Sequence, residues 1–396
     1  MKYAIVLGDG MADYPVKKLG NKTPLMCAKK PNMDLIAGHA CRYGLCQTTV
    51  GNLPAGSDVA NLSVMGYDPT KYYMGRGPLE ALSMGVKLKP ADVAFRCNLI
   101  TVKDGLIADY SAGHITSEEA AKLIEYLEEK MGGNGVRFYP GVSYRHLLVL
   151  NGCCAETVCD APHDHVGQPA SDHLPKNDNS GCLINIMERA GALLEAHPIN
   201  KERMAEGKNP ANSIWPWGQG RTPSMPLFKE KYGLDGAVIS AVDLIKGLGA
   251  ASGLEVINVP GATGYLDTDY GAKARYALKA LETKDFIFIH VEAPDEASHE
   301  GLLEEKIKAI ENLDEKVIGP LLEGLRKLGD FRLMVLPDHP TPLATKTHAR
   351  DPVPYAIYDS RQPADNKKTF DERSLADGLF IEPGYRLMNL FITDKT

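Results

Sequence analysis

The sequence predicts an α/β protein built on a mostly parallel sheet sandwiched by helices, with a smaller α+β domain inserted into it. Three observations carry this. Short apolar runs bounded by turn residues alternate with stretches of helical periodicity. Acids and imidazoles stand just past the ends of several of these runs, where open α/β sheets place their ligands. Those residues also come from both ends of the chain, Asp9 from the first run and Asp295, His299, Asp338, His339 and His348 from the late ones. One domain must therefore be assembled from both termini, and 396 residues leave room for a second.

In chain order, Tyr3 to Leu7 is the first strand, and Gly236 to Ser240 the next of the same domain, leading into a helix from Ala241 to Leu248. Leu254 to Val259 reads as a strand, Tyr270 to Leu281 as a helix, and Asp285 to Val291 as a buried strand. Apolar residues keep helical spacing from Leu302 to Leu328; Phe331 to Leu336 and Val353 to Tyr358 are the last strands. The middle has its own strands, Asp92 to Val102 and Ser143 to Leu150, and its own helices, Ser117 to Met131 and Ser180 to His197. Glycine and proline punctuate its edges, which sets the core at 1–71 and 229–396 and the insert at 72–228. Trp215 and Trp217 are expected as packing anchors at the junction.

A net charge of -7 argues against non-specific nucleic-acid binding, which needs a basic surface. It does not argue against a small anion, because a few local cations override a weak global field. The first apolar run is too short for a signal peptide, and no stretch is long and apolar enough to span a membrane. The eight cysteines form no Cys-x-x-Cys pair, and adjacent Cys153 and Cys154 make a poor disulfide framework. Free thiols in a cytoplasmic protein are the expectation.

Taken singly, the polar residues have modest readings. Asp9 between two glycines is a turn aspartate, His348 a surface histidine, and Ser57 before a helical run a helix cap. Asp295 and His299, four apart, share one helix face, a usual arrangement of metal ligands. Asp338-His339 ends a strand that Pro340 cannot continue. Taken together, hard carboxylates, imidazoles and one glycine-flanked hydroxyl at strand ends are what a two-metal phosphoryl-transfer site needs. Ser57 at a helix N-terminus would then be a nucleophile whose helix dipole and free amides favour phosphate. In the insert, Arg96, Arg145, His114, His163, Asp164 and His165 suit clamping of a phosphate and a carboxylate, and Arg221 and Lys246 add cations beside glycines.

These segments resemble the 2,3-bisphosphoglycerate-independent phosphoglycerate mutases, archaeal-type branch, of the alkaline phosphatase superfamily. The resemblance spans nearly the whole chain through LGDGMAD, NLPAGSDVANLSVMGYDP, GRGPLEA, VPGATG, VEAPDEASHEG, and LPDHPTP followed by THARDPVP, all in order. It implies an alkaline-phosphatase-like core and two divalent metal ions, with Mn²⁺ or Zn²⁺ favoured by the imidazoles and Mg²⁺ or Co²⁺ compatible. Asp9, Ser57, Asp338 and His339 match one metal site, and Asp295, His299 and His348 the other. Ser57 matches the transiently phosphorylated nucleophile, Lys246 a lysine near the transferring group, and Arg145 and Asp164 the substrate side. Two departures stand out. Ser111-Ala112-Gly113-His114 lacks an arginine before its glycine, and Ile214 to Arg221 is similar to a bacterial subgroup proposed to act as homoserine kinase.

The activity implied is interconversion of 3- and 2-phosphoglycerate through phosphoserine, on a small phosphorylated hydroxy acid and with no nucleic-acid or membrane partner. The alternatives are a homoserine kinase-like phosphotransferase on the same core, or a metal-dependent phosphatase in which water takes the phosphoryl group. No Gly-x-x-x-x-Gly-Lys-Ser/Thr loop is present for a nucleotide.

Overall fold

The computed structural model describes residues 1–177, 179–222 and 224–393. The chain divides into two units, Met1–Tyr73 with Ser224–Thr396, and Met74–Pro223. In chain order the first unit contributes strands β1 (Lys2–Gly8) and β2 (Arg42–Cys46). The second contributes β3 (Asp92–Lys103), β4 (Leu106–Asp109), β5 (Val136–Val142), β6 (Arg145–Asn151) and β7 (Ser213–Arg221). The first unit resumes with β8 (Gly236–Ile239), β9 (Glu255–Ile257), β10 (Phe286–Val291), β11 (Phe331–Leu336) and β12 (Val353–Asp359).

The first unit is a seven-stranded sheet in the order β2-β12-β11-β1-β10-β8-β9. All neighbours from β11 to β9 pair in parallel, and β12 alone runs against the rest. Every residue of β10 and β11 is buried, as expected of parallel strands covered on both faces. Ala4, Val6, Ile287, Ile289, Val291, Leu333 and Val335 form one core with Ala274 and Ala277, Ile310 and Leu313, and Leu321 and Leu325 from three helices. The first of these, Tyr270–Leu281, starts where sequence rules place it, with the Asp269 side chain accepting from Ala272 N at 2.8 Å. The register sets Leu7 beside both His290 and Leu336, so the carboxyl ends of β1, β10 and β11 lie side by side.

The helical stretch expected from Leu302 to Leu328 is two α-helices, Leu303–Leu313 and Gly319–Leu328, joined by a wider turn over Asp314–Ile318. Pro320 explains the break, because it has no N–H to donate to the carbonyl four residues back. β2 was not expected. It is a short strand containing Gly44 at the sheet edge, with weak periodicity. Phe228, placed by sequence at the end of the insert, stacks on Phe286 of β10 with ring centroids 4.5 Å apart.

The second unit is antiparallel. β3 pairs with β4, β6 and β7, and β5 with β6. The helices Ser117–Met131 and Ser180–Ala196 give Leu123, Ile124, Leu127, Leu183, Ile186 and Ala190 to its core. Ser117–Met131 begins in a capping box, Thr116 with Glu119, and buries Ala120, Leu123, Ile124, Leu127 and Met131 at helical spacing. Trp215 and Trp217 belong to this same core. Among the described residues no helix is long and apolar enough to cross a membrane.

Candidate active site

Three adjacent strand ends and one helix start build the site. β1 delivers Asp9, which is fully buried. Its neighbour Gly10 sits at φ +58°, and a Cβ there would fall 2.3 Å from Asp295 Oδ1 and 2.6 Å from Thr341 Oγ1. The Gly-Asp-Gly motif is thus a requirement of close approach as well as of the turn. Asp9 Oδ2 lies 2.9 Å from His290 Nε2 and 3.4 Å from Ser57 Oγ, while Oδ1 is buried without a hydrogen-bond partner.

β10 supplies His290 and, just past its end, Glu292, whose Oε2 is 3.7 Å from His290 Nε2. Ser240 Oγ accepts from Val242 N at 3.0 Å and lies 3.3 Å from His290 Nδ1. The serine proton is therefore available to Nδ1, which leaves His290 Nε2–H to donate to Asp9. Burial pulls His290 down to about 4, so it is neutral. The buried ammonium of Lys273, lowered to about 8 by burial, donates to the His290 carbonyl at 3.1 Å.

The helix Ala293–Glu300 follows with Pro294 in its first turn and presents Asp295 and His299 together. Asp295 Oδ2 is 3.1 Å from His299 Nε2 and 3.7 Å from His348 Nε2, and the two Nε2 atoms are 3.1 Å apart. His299 Nδ1–H donates to Lys346 O at 2.9 Å, which aims Nε2 at the carboxylate. β11 ends in Asp338 and His339, both fully buried. Asp338 accepts from Asn61 Nδ2 at 2.8 Å, Gly10 N at 3.2 Å and His339 N at 2.9 Å. Thr341 gives its one proton to Asp295 Oδ1 at 2.5 Å, so its oxygen accepts from His339 Nδ1 at 3.2 Å. His339 Nε2 is then unprotonated and points at Ser57 Oγ, 3.1 Å away, with Asp9 Oδ1 and Asp338 Oδ2 each at 3.5 Å.

Ser57 is the first residue of the helix Ser57–Val64; the N-cap is Gly56. The cap role that local pattern favours for Ser57 is therefore not the one it plays. Its hydroxyl faces Asp9 and His339 instead.

The charges are poorly balanced. Burial raises Asp9 well above the usual carboxylate range, and Asp338, Glu292 and Asp295 raise it further. Glu292 is pushed up to about 8 by burial, then by Asp295. Burial alone would lower His299, but the neighbouring Asp295 carboxylate lifts it to about 9. Crowded carboxylates, an orphaned Asp9 oxygen and imidazole lone pairs aimed inward are a donor set that fits divalent cations. Three groups each bring their ligand atoms within 4.8 Å of one another: Asp9, Asp338 and His339; Asp9, His290 and Glu292; and Asp295, His299 and His348. His290, Glu292, Asn61 and Thr341 were not singled out from sequence. A histidine inside an otherwise apolar buried strand, Phe286 to Val291, was the available signal for the first.

Lys246 lies in the helix Asp243–Ala251, 3.7 Å from Asp243, and close enough to Lys273 to depress it. Buried Lys306 ties together the loops after β1 and β11, bonding Asp13 Oδ2 at 2.8 Å, Thr341 O at 2.9 Å and Ala12 O at 3.2 Å.

In the second unit Arg96 pairs with Glu80 at 3.1 Å and lies over the Trp217 ring at 5.0 Å. Arg76, not singled out from sequence, lies over the same ring at 5.4 Å, and His163 packs against it at 5.2 Å. Arg145 is near enough to lower Arg96, whose largest depression comes from burial. Asp164 is mostly exposed, 3.8 Å from His163. His114 and Arg221 are not drawn into this group. His114 is exposed at φ +50° in a turn held by Ser111 Oγ, and Arg221 is exposed at the end of β7, opposite Val93. Their glycine neighbours serve a turn and strand pairing.

The family model for 2,3-bisphosphoglycerate-independent phosphoglycerate mutase matches residues 39–200. A protein of that name from Methanothrix thermoacetophila is 56% identical over 379 residues, 96% of each chain. The chain belongs to this family. A probable 2,3-bisphosphoglycerate-independent phosphoglycerate mutase from Geobacter sulfurreducens is 51% identical, covering 99% of this chain and all of that one. Two solved structures support the family fold. A protein of Pyrococcus horikoshii matches with TM-score 0.82 at 31% identity, over 99% of this chain and 96% of that one. The cofactor-independent phosphoglycerate mutase of Thermoplasma acidophilum matches with TM-score 0.66 at 28% identity, over 99% of each chain.

Proposed function

We propose that this mutase-family chain interconverts 3-phosphoglycerate and 2-phosphoglycerate with Ser57 as the transient phosphoryl carrier. The observation that carries the reading is the Ser57 hydroxyl, released from any capping duty and held between His339 Nε2 at 3.1 Å and Asp9 Oδ2 at 3.4 Å at the start of a helix. Full-length relatives named as mutases favour glycerate over homoserine as acceptor.

Ser57 Oγ forms the bond to phosphorus as the ester oxygen of the substrate leaves, and the serine proton ends on the released glycerate hydroxyl. The dipole and amides at the start of Ser57–Val64 favour the phosphoryl charge. Asp9, Asp338 and His339 would hold one cation beside Ser57, and Asp295, His299 and His348 a second, with His290, Asn61 and Thr341 orienting these ligands. Divalent cations, when bound there, supply charge neutralisation at the phosphoryl oxygens and a lowered pKa at the hydroxyl. Imidazole with carboxylate suits Mn²⁺ or Zn²⁺. In the second unit, Arg145, Arg96 and Arg76 suit a carboxylate by bidentate hydrogen bonding, and Asp164 the glycerate hydroxyls. Lys246 is the cation assigned to the transferring group. Eight cysteines outside any disulfide fit a reducing compartment, which we take to be the cytoplasm.

The test is an enolase-coupled assay of metal-loaded protein on 3-phosphoglycerate, with no bisphosphoglycerate added, beside assays for phosphate release and ATP-dependent homoserine phosphorylation. Mutase turnover is expected. Phosphate release alone, or O-phosphohomoserine alone, would replace the proposal by the corresponding alternative.

A further inference from the structure

Three cysteine sulfurs converge in the second unit, outside the groups described above. Cys153 and Cys154 lie in the turn leaving β6, opened by Gly152 at φ +76° and with Cys154 itself at φ +65°. Cys182 comes from the first turn of Ser180–Ala196. Cys153 Sγ is 3.9 Å from Cys182 Sγ and 3.3 Å from Cys154 Sγ, and all three lie within 4.8 Å of one another. None is in a disulfide. Cys154 is buried, Cys153 half-buried and Cys182 exposed, so the cluster has a closed floor and a side open to water.

The spacing matches a known coordination chemistry. Zinc–sulfur bonds of about 2.3 Å at tetrahedral angles set ligand sulfurs about 3.8 Å apart. The left-handed backbone at Cys154 is what allows two consecutive residues to turn their sulfurs the same way, since successive side chains of an extended chain point to opposite faces. Cys182, in the first turn of a long helix, brings its sulfur to the other two from the helix side. The chemistry differs from the carboxylate–imidazole centre: soft thiolates select Zn²⁺ or Cu(I) over Mg²⁺ and Mn²⁺.

We propose that Cys153, Cys154 and Cys182 form a tris-thiolate site for Zn²⁺, with the solvent side left for a fourth ligand. Each thiol gives its proton to solvent as its sulfur bonds the ion, and nothing is oxidised. Uptake of the metal therefore weakens as pH falls.

The test uses the full chain, reduced, stripped of metal and titrated with Co²⁺. Only sulfur ligation gives an intense near-ultraviolet thiolate-to-Co²⁺ band; an Asp/His centre does not. The band should saturate, bleach on adding Zn²⁺, survive in Asp295→Asn, and largely vanish in Cys153→Ser and Cys182→Ser. In the unmutated protein, Zn²⁺ should also slow alkylation of Cys182, a readout that does not depend on the variants folding. Absence of the band, its persistence in the triple serine variant, or unchanged alkylation would overturn the site. So would a Cys153–Cys182 disulfide in protein isolated without reductant that, once reduced, still gives no thiolate-to-Co²⁺ band.

Discussion

Replacing Ser57 by alanine separates a structural serine from a chemical one. A capping serine lost to alanine costs about 1 kcal/mol, but the cap here is Gly56 and Ser57 already has helical geometry. Alanine is the better helix former at such a position by a few tenths of a kcal/mol. Against this stands one hydroxyl proton with two acceptors in reach, His339 Nε2 at 3.1 Å and Asp9 Oδ2 at 3.4 Å, worth about 1 kcal/mol at most. The net stability change should lie within about 1 kcal/mol, a shift of roughly 4 °C or less for a unit of this size. Loss of the phosphoryl acceptor should instead lower kcat by on the order of 10⁴ to 10⁶, a barrier increase of about 5–8 kcal/mol. Enolase-coupled turnover and a urea midpoint measured on the same preparation decide the matter, with mass spectrometry of quenched protein seeking phosphate on the Ser57 peptide. A variant that keeps more than about a tenth of wild-type kcat at unchanged stability would refute the nucleophile. A large drop in midpoint would show that the hydroxyl holds the fold.

Three further outcomes are expected. Adding Mn²⁺ to metal-stripped protein should raise stability by about 2.7 kcal/mol at a hundredfold excess over its dissociation constant, and Asp9→Asn should shrink that increment, both read from urea midpoints. Arg145→Ala should leave the midpoint unchanged and lower kcat/KM on 3-phosphoglycerate about tenfold or more, the worth of a charged hydrogen bond of about 1.5–3 kcal/mol; unchanged kinetics would remove Arg145 from the substrate side. Asp359→Asn should cost about 1.5–3 kcal/mol at neutral pH, because buried Arg332, 2.7 Å from Asp359, loses a charge-assisted hydrogen bond. Burial opposes the charged form of Asp359, but bonds from Arg361 and Arg332 more than offset it, so its folded pKa lies below the usual range. That contribution is present above the unfolded value of about 3.9 and is lost as pH falls through the folded one. The gap between wild type and variant should therefore narrow below about pH 4, and parallel pH curves would contradict this.

The fold was legible where the physics is local or repetitive. Phe331–Leu336 and Tyr270–Leu281 have the bounds read from pattern, because a fully buried parallel strand is a bare apolar run and an aspartate marks the helix start. β2 was missed because its partner is a single strand, β12, far along the chain, and its glycine has a tertiary reason. A Cβ on Gly44 would lie 2.0 Å from Leu379 O. The break over Asp314–Ile318 was hidden because the apolar spacing on either side stays helical. The Asp314 carboxylate accepts from Met33 N at 2.6 Å and Asn32 Nδ2 at 2.9 Å, contacts no helical period encodes.

The site shows the same division more sharply. Asp9, Asp295 and Asp338 stand out in sequence because each interrupts an apolar pattern at the point where the chain leaves the sheet. Of the groups that aim them, only His290 interrupts an apolar run, and it does so inside a strand instead of at its end. His290 is inside β10 and reads as a strand residue, yet with Ser240 behind it, it sets which Asp9 oxygen is engaged and leaves the other without a partner. Thr341 is one hydroxyl among many, yet its single proton, committed to Asp295, determines which His339 nitrogen faces Ser57. Conversely, His114 was conspicuous as an imidazole among the insert's cations and Arg221 as a cation beside a glycine, and Gly113 and Gly220 answer to turn and strand geometry. A pattern break marks a group that cannot be where it is without a reason. An orienting group has an ordinary place in its element, and its role follows only from the direction of a hydrogen bond, which spacing along a chain does not carry.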